Sequence, residues 1–207
     1  FYAKKVWQHN GGAIVRASGN LMYTKDGGYK PGLTEATNLD EAALLEVEET
    51  YGDKCARRSG IPYIYHIYEG LRILQDLGAD YDTMAAWCLH PLVQADEALD
   101  AELNAANPFS EVPTRAIILA MEYRFRANSH LSKDEPKVPS YGHREELRLM
   151  LIADKVQNRK DFERVLRGRP DVPNSDRLDA YYKEWLTVLG IDEAEYARLT
   201  ALILPSR

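Results

Sequence analysis

Three side chains able to do chemistry stand at odds with the apolar runs around them. His66 lies beside the stripe Ile64, Ile67, Leu71 and Leu74, His90 closes the run "TMAAWCLH", and Asp154 sits inside "LRLMLIADKVQN". An ionised carboxylate is rarely left alone among apolar residues, because its desolvation costs on the order of several kcal/mol, so Asp154 requires a partner. Two imidazoles and one carboxylate are a minimal ligand set for a divalent transition metal, with one donor from each of three helices. The competing assignment pairs Asp154 with an Arg or Lys and makes both histidines hydrogen-bonded core residues; spacing alone favours it. Asn158, one turn beyond Asp154, faces the same way and would orient a ligand or cap a neighbouring loop.

The segment "CLHPLVQAD", residues 88–96, is chemically odd. Pro91 has no N–H, so the helix ending in His90 is predicted to kink or stop there. Gln94 and Ala95 occupy places where hydrolytic chemistry would want carboxylates, and a neutral amide has no useful basicity. Gln94 and Asp96 are therefore weak catalytic candidates. On a regular helix a one-residue slip turns a side chain by roughly 100°, so Asp96 does not simply take over a neighbour's role.

The elements that must position these groups read as helices. Asp40 can cap a helix over 41–56, with Leu44, Val47 and Tyr51 on one face. A second helix carries His66 and stops at Gly78. Asp82 is read as the cap of the third, which carries His90. A short acidic helix follows over 96–106, then a fifth after Pro113, a polar loop over about 128–142, and the longest helix over about 143–167. Two more close the chain, the last opening on the capping-box arrangement Asp192-x-x-Glu195. Residues 1–38 differ: Gly-rich and aromatic, with Ser18-Gly19-Asn20 between "AIVRA" and "LMYT", they form a small arm, either a β-hairpin or an irregular cover. The architecture is all-α: an irregular helical bundle over 39–207 with this N-terminal arm.

Composition narrows the partners. The chain has 207 residues, 45% of them apolar, enough for one sizeable core. Its net charge of −6 is interspersed, without a basic stripe, which argues against duplex nucleic acid. No apolar run reaches the roughly 20 residues that span a bilayer, and no basic-then-apolar leader opens the chain, so a soluble protein is expected. Cys55 and Cys88, without metal or redox spacing, are read as two buried thiols of a reducing, cytoplasmic compartment. Tyr181, Tyr182 and Trp185 read as packing rather than a base-stacking platform. His130 and His143 read as solvated, and Arg164, Arg167 and Arg169 as a complement to a helix dipole.

Four blocks in order, "ARRSGIPYIYH", "MAAWCLHPLVQAD", "LIADKVQNRKDF" and "LDAYYKEW", resemble the HD-domain hydrolases of the RelA/SpoT group, over roughly residues 42–190. Those enzymes cleave the 3′-pyrophosphate from (p)ppGpp with Mn²⁺. The resemblance implies an HD-type bundle, with His66, His90 and Asp154 as ligands of Mn²⁺ or another divalent metal. Arg57 and Arg58 would lie against the nucleotide base and phosphates, and Asn158 near the ribose. It also exposes losses: the second Asp of the HD doublet is Pro91, and the Glu-Asp pair that helps activate water is Gln94-Ala95. The leading expectation is a degenerate HD-fold protein, catalytically weak or inactive, that binds a guanine nucleotide such as (p)ppGpp or a protein partner. The first alternative is a divergent metal-dependent nucleotide phosphohydrolase using His66, His90 and Asp154. The second is a structural or assembly protein docking through Trp7, Tyr23 and Tyr29 of the arm.

Overall fold

A computed structural model describes residues 41–57, 59–105, 109, 112–131, 144–170, 172 and 175–204, together with four two-residue strands of the arm. In the arm, β1 (Gln8–His9) pairs antiparallel with β2 (Gly12–Ala13), and β3 (Met22–Tyr23) with β4 (Tyr29–Lys30). The turn anticipated at Ser18–Asn20 lies outside the described residues. The rest is helical: α1 Glu41–Tyr51, α2 Tyr63–Asp76, α3 Tyr81–Gln94, α4 Asp96–Leu103, α5 Thr114–Leu131, α6 Glu145–Asp161, α7 Ser175–Val188 and α8 Glu193–Ile203. The all-α expectation holds. No helix among the described residues is long and apolar enough to cross a membrane.

Several element ends have identifiable causes. Gly52 and Gly78 adopt φ of 48° and 74°, left-handed values that glycine takes without a Cβ penalty, and they stop α1 and α2. The first helix therefore ends at Tyr51 and not at Ala56. The cap of α3 is Asp80, whose carboxylate accepts from the Thr83 amide at 2.9 Å, and not Asp82. Asp192 caps α8 as its spacing indicates, accepting from the Glu195 amide at 2.8 Å. The first residues of the loop expected over 128–142 belong instead to α5, which runs on to Leu131, and the remainder lies outside the described residues. Helix α6, expected to be the longest, has 17 residues against 18 in α5 and changes pitch at its end: Phe162–Leu166 form a π-helical turn, closed by the Arg167 amide donating to the Phe162 carbonyl at 2.7 Å.

Pro91 does not end α3. The helix runs three residues further and breaks only at Ala95, whose φ of −90° and ψ of 147° are extended. Arg124 of α5 holds that end, donating to the carbonyls of Val93 at 2.7 Å and Gln94 at 2.9 Å and pairing with Asp96 at the start of α4. Tertiary contacts thus set the boundary, and of the kink or stop expected at Pro91 the stop does not occur.

The core gathers around α3, which packs on α5, α1 and α2, while α2 also packs on α6. Trp87 is fully buried, and its indole N–H donates to the Ile67 carbonyl at 3.0 Å. This close seat on α2 requires Gly70, since a Cβ there would lie 2.1 Å from an indole carbon. Of the two thiols, Cys88 is buried in this core but Cys55 is exposed, contrary to the reading of both as interior. Cys55 instead forms an isolated antiparallel bridge with Pro62, just before α2 begins.

Candidate functional site

Helices α2, α3 and α6 bring His66, His90 and Asp154 together. The Nε2 atoms of His66 and His90 are 3.2 Å apart, and Asp154 Oδ1 lies 3.7 Å from His66 Nε2. Trp87 holds the geometry from below: its ring centre is 4.9 Å from that of His66 and 4.3 Å from that of His90. Tyr123 of α5 closes the far side of His90, with ring centres 5.1 Å apart. Burial, and then the neighbouring His66, pushes His90 down to about 3, so this imidazole is neutral at ordinary pH.

Asp154 has the partner that its sequence context demanded. The adjacent Lys155 donates to it at 2.6 Å, Asn158 donates at 2.7 Å, and the Tyr123 hydroxyl donates to it as well. Burial raises the Asp154 carboxyl, but the Lys155 ammonium overcomes burial and holds it below the usual aspartate value. Burial likewise lowers Lys155, yet the Asp154 charge carries it above the ordinary lysine value. The Lys155 ammonium also lies 5.1 Å from the centre of the Trp185 ring and 5.6 Å from that of Tyr181. Those two aromatics of α7 thus pack around the buried charge, in line with their reading as packing residues.

The histidines are oriented from outside the trio. Gln157 Oε1 lies 2.8 Å from His66 Nδ1, and the Gln157 amide nitrogen donates to Glu69 at 3.1 Å and Asp161 at 2.6 Å. Lys160 balances that acidic pair, donating to Glu69 at 2.5 Å and lying 2.8 Å from Asp161. His90 Nδ1 lies 2.5 Å from the Trp87 carbonyl.

Above these residues opens a cleft of about 380 Å³. One face of α6 lines it with Asp154, Gln157, Asn158 and Asp161, spaced i, i+3, i+4 and i+7. Tyr51, Tyr63, Phe162 and Tyr182 supply aromatic walls, Ser59 a rim hydroxyl, and no Lys or Arg among the described residues lines it. Of the other anticipated site residues, Gln94 lines the cleft. Asp96 does not: its side chain is 87% exposed and turned to Arg124. Arg57 is exposed on the loop before α2, and Arg58 lies outside the described residues, as do the side chains of His130 and His143. Arg167 does more than face a helix dipole, since it pairs with Asp179 and Glu163.

Lys155, Gln157, Tyr123 and Glu69 escaped the sequence reading. Lys155 and Gln157 lie within one turn of Asp154, so the i, i+3 rule applied to Asp154 would have found Gln157. Nothing in the sequence links Tyr123 or Glu69 to the site. Among known proteins, no family model matches the chain and no curated protein matches its sequence.

The donor types suit a divalent cation: two imidazole nitrogens and a carboxylate, with the 3.2 and 3.7 Å separations close to the ~3.4 Å between ligands bound at ~2.1 Å in a tetrahedral set. Among the described residues, however, no three His, Cys, Asp or Glu side chains stand as a ready cage. The Asp154 oxygens are committed to Lys155 and Asn158, and an ion would have to draw Asp154 away from one of them.

Proposed function

We propose that the chain is a degenerate HD-type domain of the RelA/SpoT kind that binds a nucleotide in the cleft and hydrolyses it weakly or not at all. One observation carries this reading: at the place where water would be activated the cleft presents the neutral Gln94, while the nearest acid in the segment, Asp96, is exposed and held by Arg124. Neither group is placed to take a proton from water. The aromatic walls suit a stacked base. The amides of Asn158 and Gln94 offer polar contacts to a sugar or base, and Arg57 is exposed in the loop whose Ala56 and Ser59 line the cleft.

His66, His90 and Asp154 would hold a divalent cation such as Mn²⁺. When bound, it would supply the positive charge for phosphate that the described lining residues lack. Two thiols without a disulfide among the described residues support our reading of a reducing compartment such as the cytoplasm. The test is calorimetric titration of ppGpp with and without Mn²⁺, run beside an assay of pyrophosphate release. Binding without turnover is the expected result. Robust Mn²⁺-dependent release abolished by Asp154→Asn would overturn this reading and establish the alternative, a divergent metal-dependent phosphohydrolase. One observation favours that alternative: both histidines hold their Nδ1 atoms against acceptors, which is how metal-binding imidazoles are commonly presented.

A further inference from the structure

The atoms that face Nδ1 of each histidine decide where its proton sits. Trp87 offers His90 a backbone carbonyl, which can only accept. Gln157 offers His66 an amide, whose two ends differ, but its nitrogen is committed to two carboxylates, Glu69 and Asp161. The oxygen therefore faces His66, and it too can only accept. Both rings must donate from Nδ1, which leaves Nε2 of each ring as the atom turned toward the other histidine.

The Trp87 carbonyl is available for a reason written in the sequence. In a regular helix the carbonyl of residue 87 accepts from the amide of residue 91. Residue 91 is proline, which has no amide hydrogen, so the carbonyl is released inside an unbroken helix. The His90 ring takes it. The residue that removes a carboxylate from the segment thus also orients the histidine before it.

We propose that Pro91 and Gln157 are positioning residues, which fix His90 and His66 in the Nδ1–H tautomer so that two Nε2 atoms, 3.2 Å apart beside Asp154, are the nitrogen donors a single cation would take, with Asp154 still to be drawn from Lys155 or Asn158. This rests on the cation reading of the site for its purpose, but not for its geometry. Without a metal, the two Nε2 atoms have room for one shared proton and no more. With a divalent ion they become its two nitrogen ligands, and no tautomer has to change on binding.

The test is nitrogen-15 NMR of the histidine rings in the metal-free full chain, assigned with His66→Asn and His90→Asn. In the wild type, Nδ1 of both rings should carry hydrogen throughout the pH range in which the protein stays folded. A bare Nδ1 on either ring overturns the proposal, whatever the variants do. Gln157→Met should leave His66 a mixture of tautomers with His90 unchanged, and Pro91→Ala should do the reverse. If both variants fold, as judged by circular dichroism, and neither changes a tautomer, the positioning role is refuted. Mn²⁺ titration separates this from the function itself: Gln157→Met should weaken binding by about 10–100-fold. Absence of Mn²⁺ binding to a wild type whose Nδ1 atoms both carry hydrogen would defeat the cation reading and leave the tautomer assignment standing.

Discussion

Replacing Gly70 by alanine tests whether the site is held by the seat of Trp87 on α2. At an ordinary helical glycine this change stabilises a protein by up to about 1 kcal/mol. Here the new Cβ would lie 2.1 and 2.2 Å from two indole carbons and 2.5 Å from the indole nitrogen. To reach the ~3.5 Å at which carbon atoms pack, the ring or the helix must retreat by roughly 1.5 Å. Overpacking of this kind costs about 1–3 kcal/mol, and a ring that retreats also loses the bond from its N–H to the Ile67 carbonyl, worth about 1 kcal/mol net. Set against the helix-propensity gain, Gly70→Ala should destabilise by about 1–3 kcal/mol. Urea unfolding followed by circular dichroism measures it, and the m-value should stay unchanged. A double-mutant cycle sharpens the test, because Trp87→Phe removes the clashing part of the ring and Gly70→Ala should cost less in that background. A neutral or stabilising Gly70→Ala would refute the reasoning, since even its sign depends on the close approach.

Three further outcomes follow from the buried charges. Lys155→Met leaves the Asp154 carboxylate buried without its countercharge and should cost about 3–5 kcal/mol near neutral pH in thermal or urea unfolding. In the wild type the lowered Asp154 contributes stability above the unfolded aspartate value, and that contribution is lost as pH falls through the folded value. Lys155→Met should reverse this sign and recover part of its loss as the solution is acidified. His90 should remain neutral by NMR until pH approaches about 3, whereas in the unfolded chain it titrates near 6.5. The folded state then binds fewer protons across that window, so the wild type should lose stability relative to His90→Gln as pH falls from 6.5 toward 3. Equal pH dependence of the two proteins would show that His90 is not a buried neutral ring. Arg124→Ala removes the donors that hold the end of α3 and should cost about 1–3 kcal/mol in thermal unfolding, with hydrogen exchange speeding first around Ala95.

Much of this architecture was legible because helices are local. The apolar spacing of Ile67, Leu71 and Leu74, Gly78 after the second helix and the Asp192-x-x-Glu195 box depend on neighbours within one or two turns, and α2 and the start of α8 stand where these signals put them. His66, His90 and Asp154 stood out by the same local logic, since polar groups in apolar runs need partners. The choice of partner was not local. Asp154 takes Lys155 from its own helix and Tyr123 from α5, and the competing assignment of a Lys partner is met even as the histidines converge on it.

By itself the sequence determined an all-α chain, the helices that carry the three chemical side chains, and the absence of carboxylates between Pro91 and Ala95. Of its two readings of Pro91, a kink or a stop, the stop fails, although proline's local preference is to end a helix. Only the tertiary structure decided that α3 continues: Trp87 and Leu89 are buried against neighbouring helices, the freed carbonyl is met by His90, and Arg124 ends the helix three residues later. It alone decided that Asp96 faces Arg124 and that Gln157, through Glu69 and Asp161, aims His66. Local propensity is a matter of about 1–3 kcal/mol per residue, and burial in a packed core together with a replaced hydrogen bond is large enough to override it.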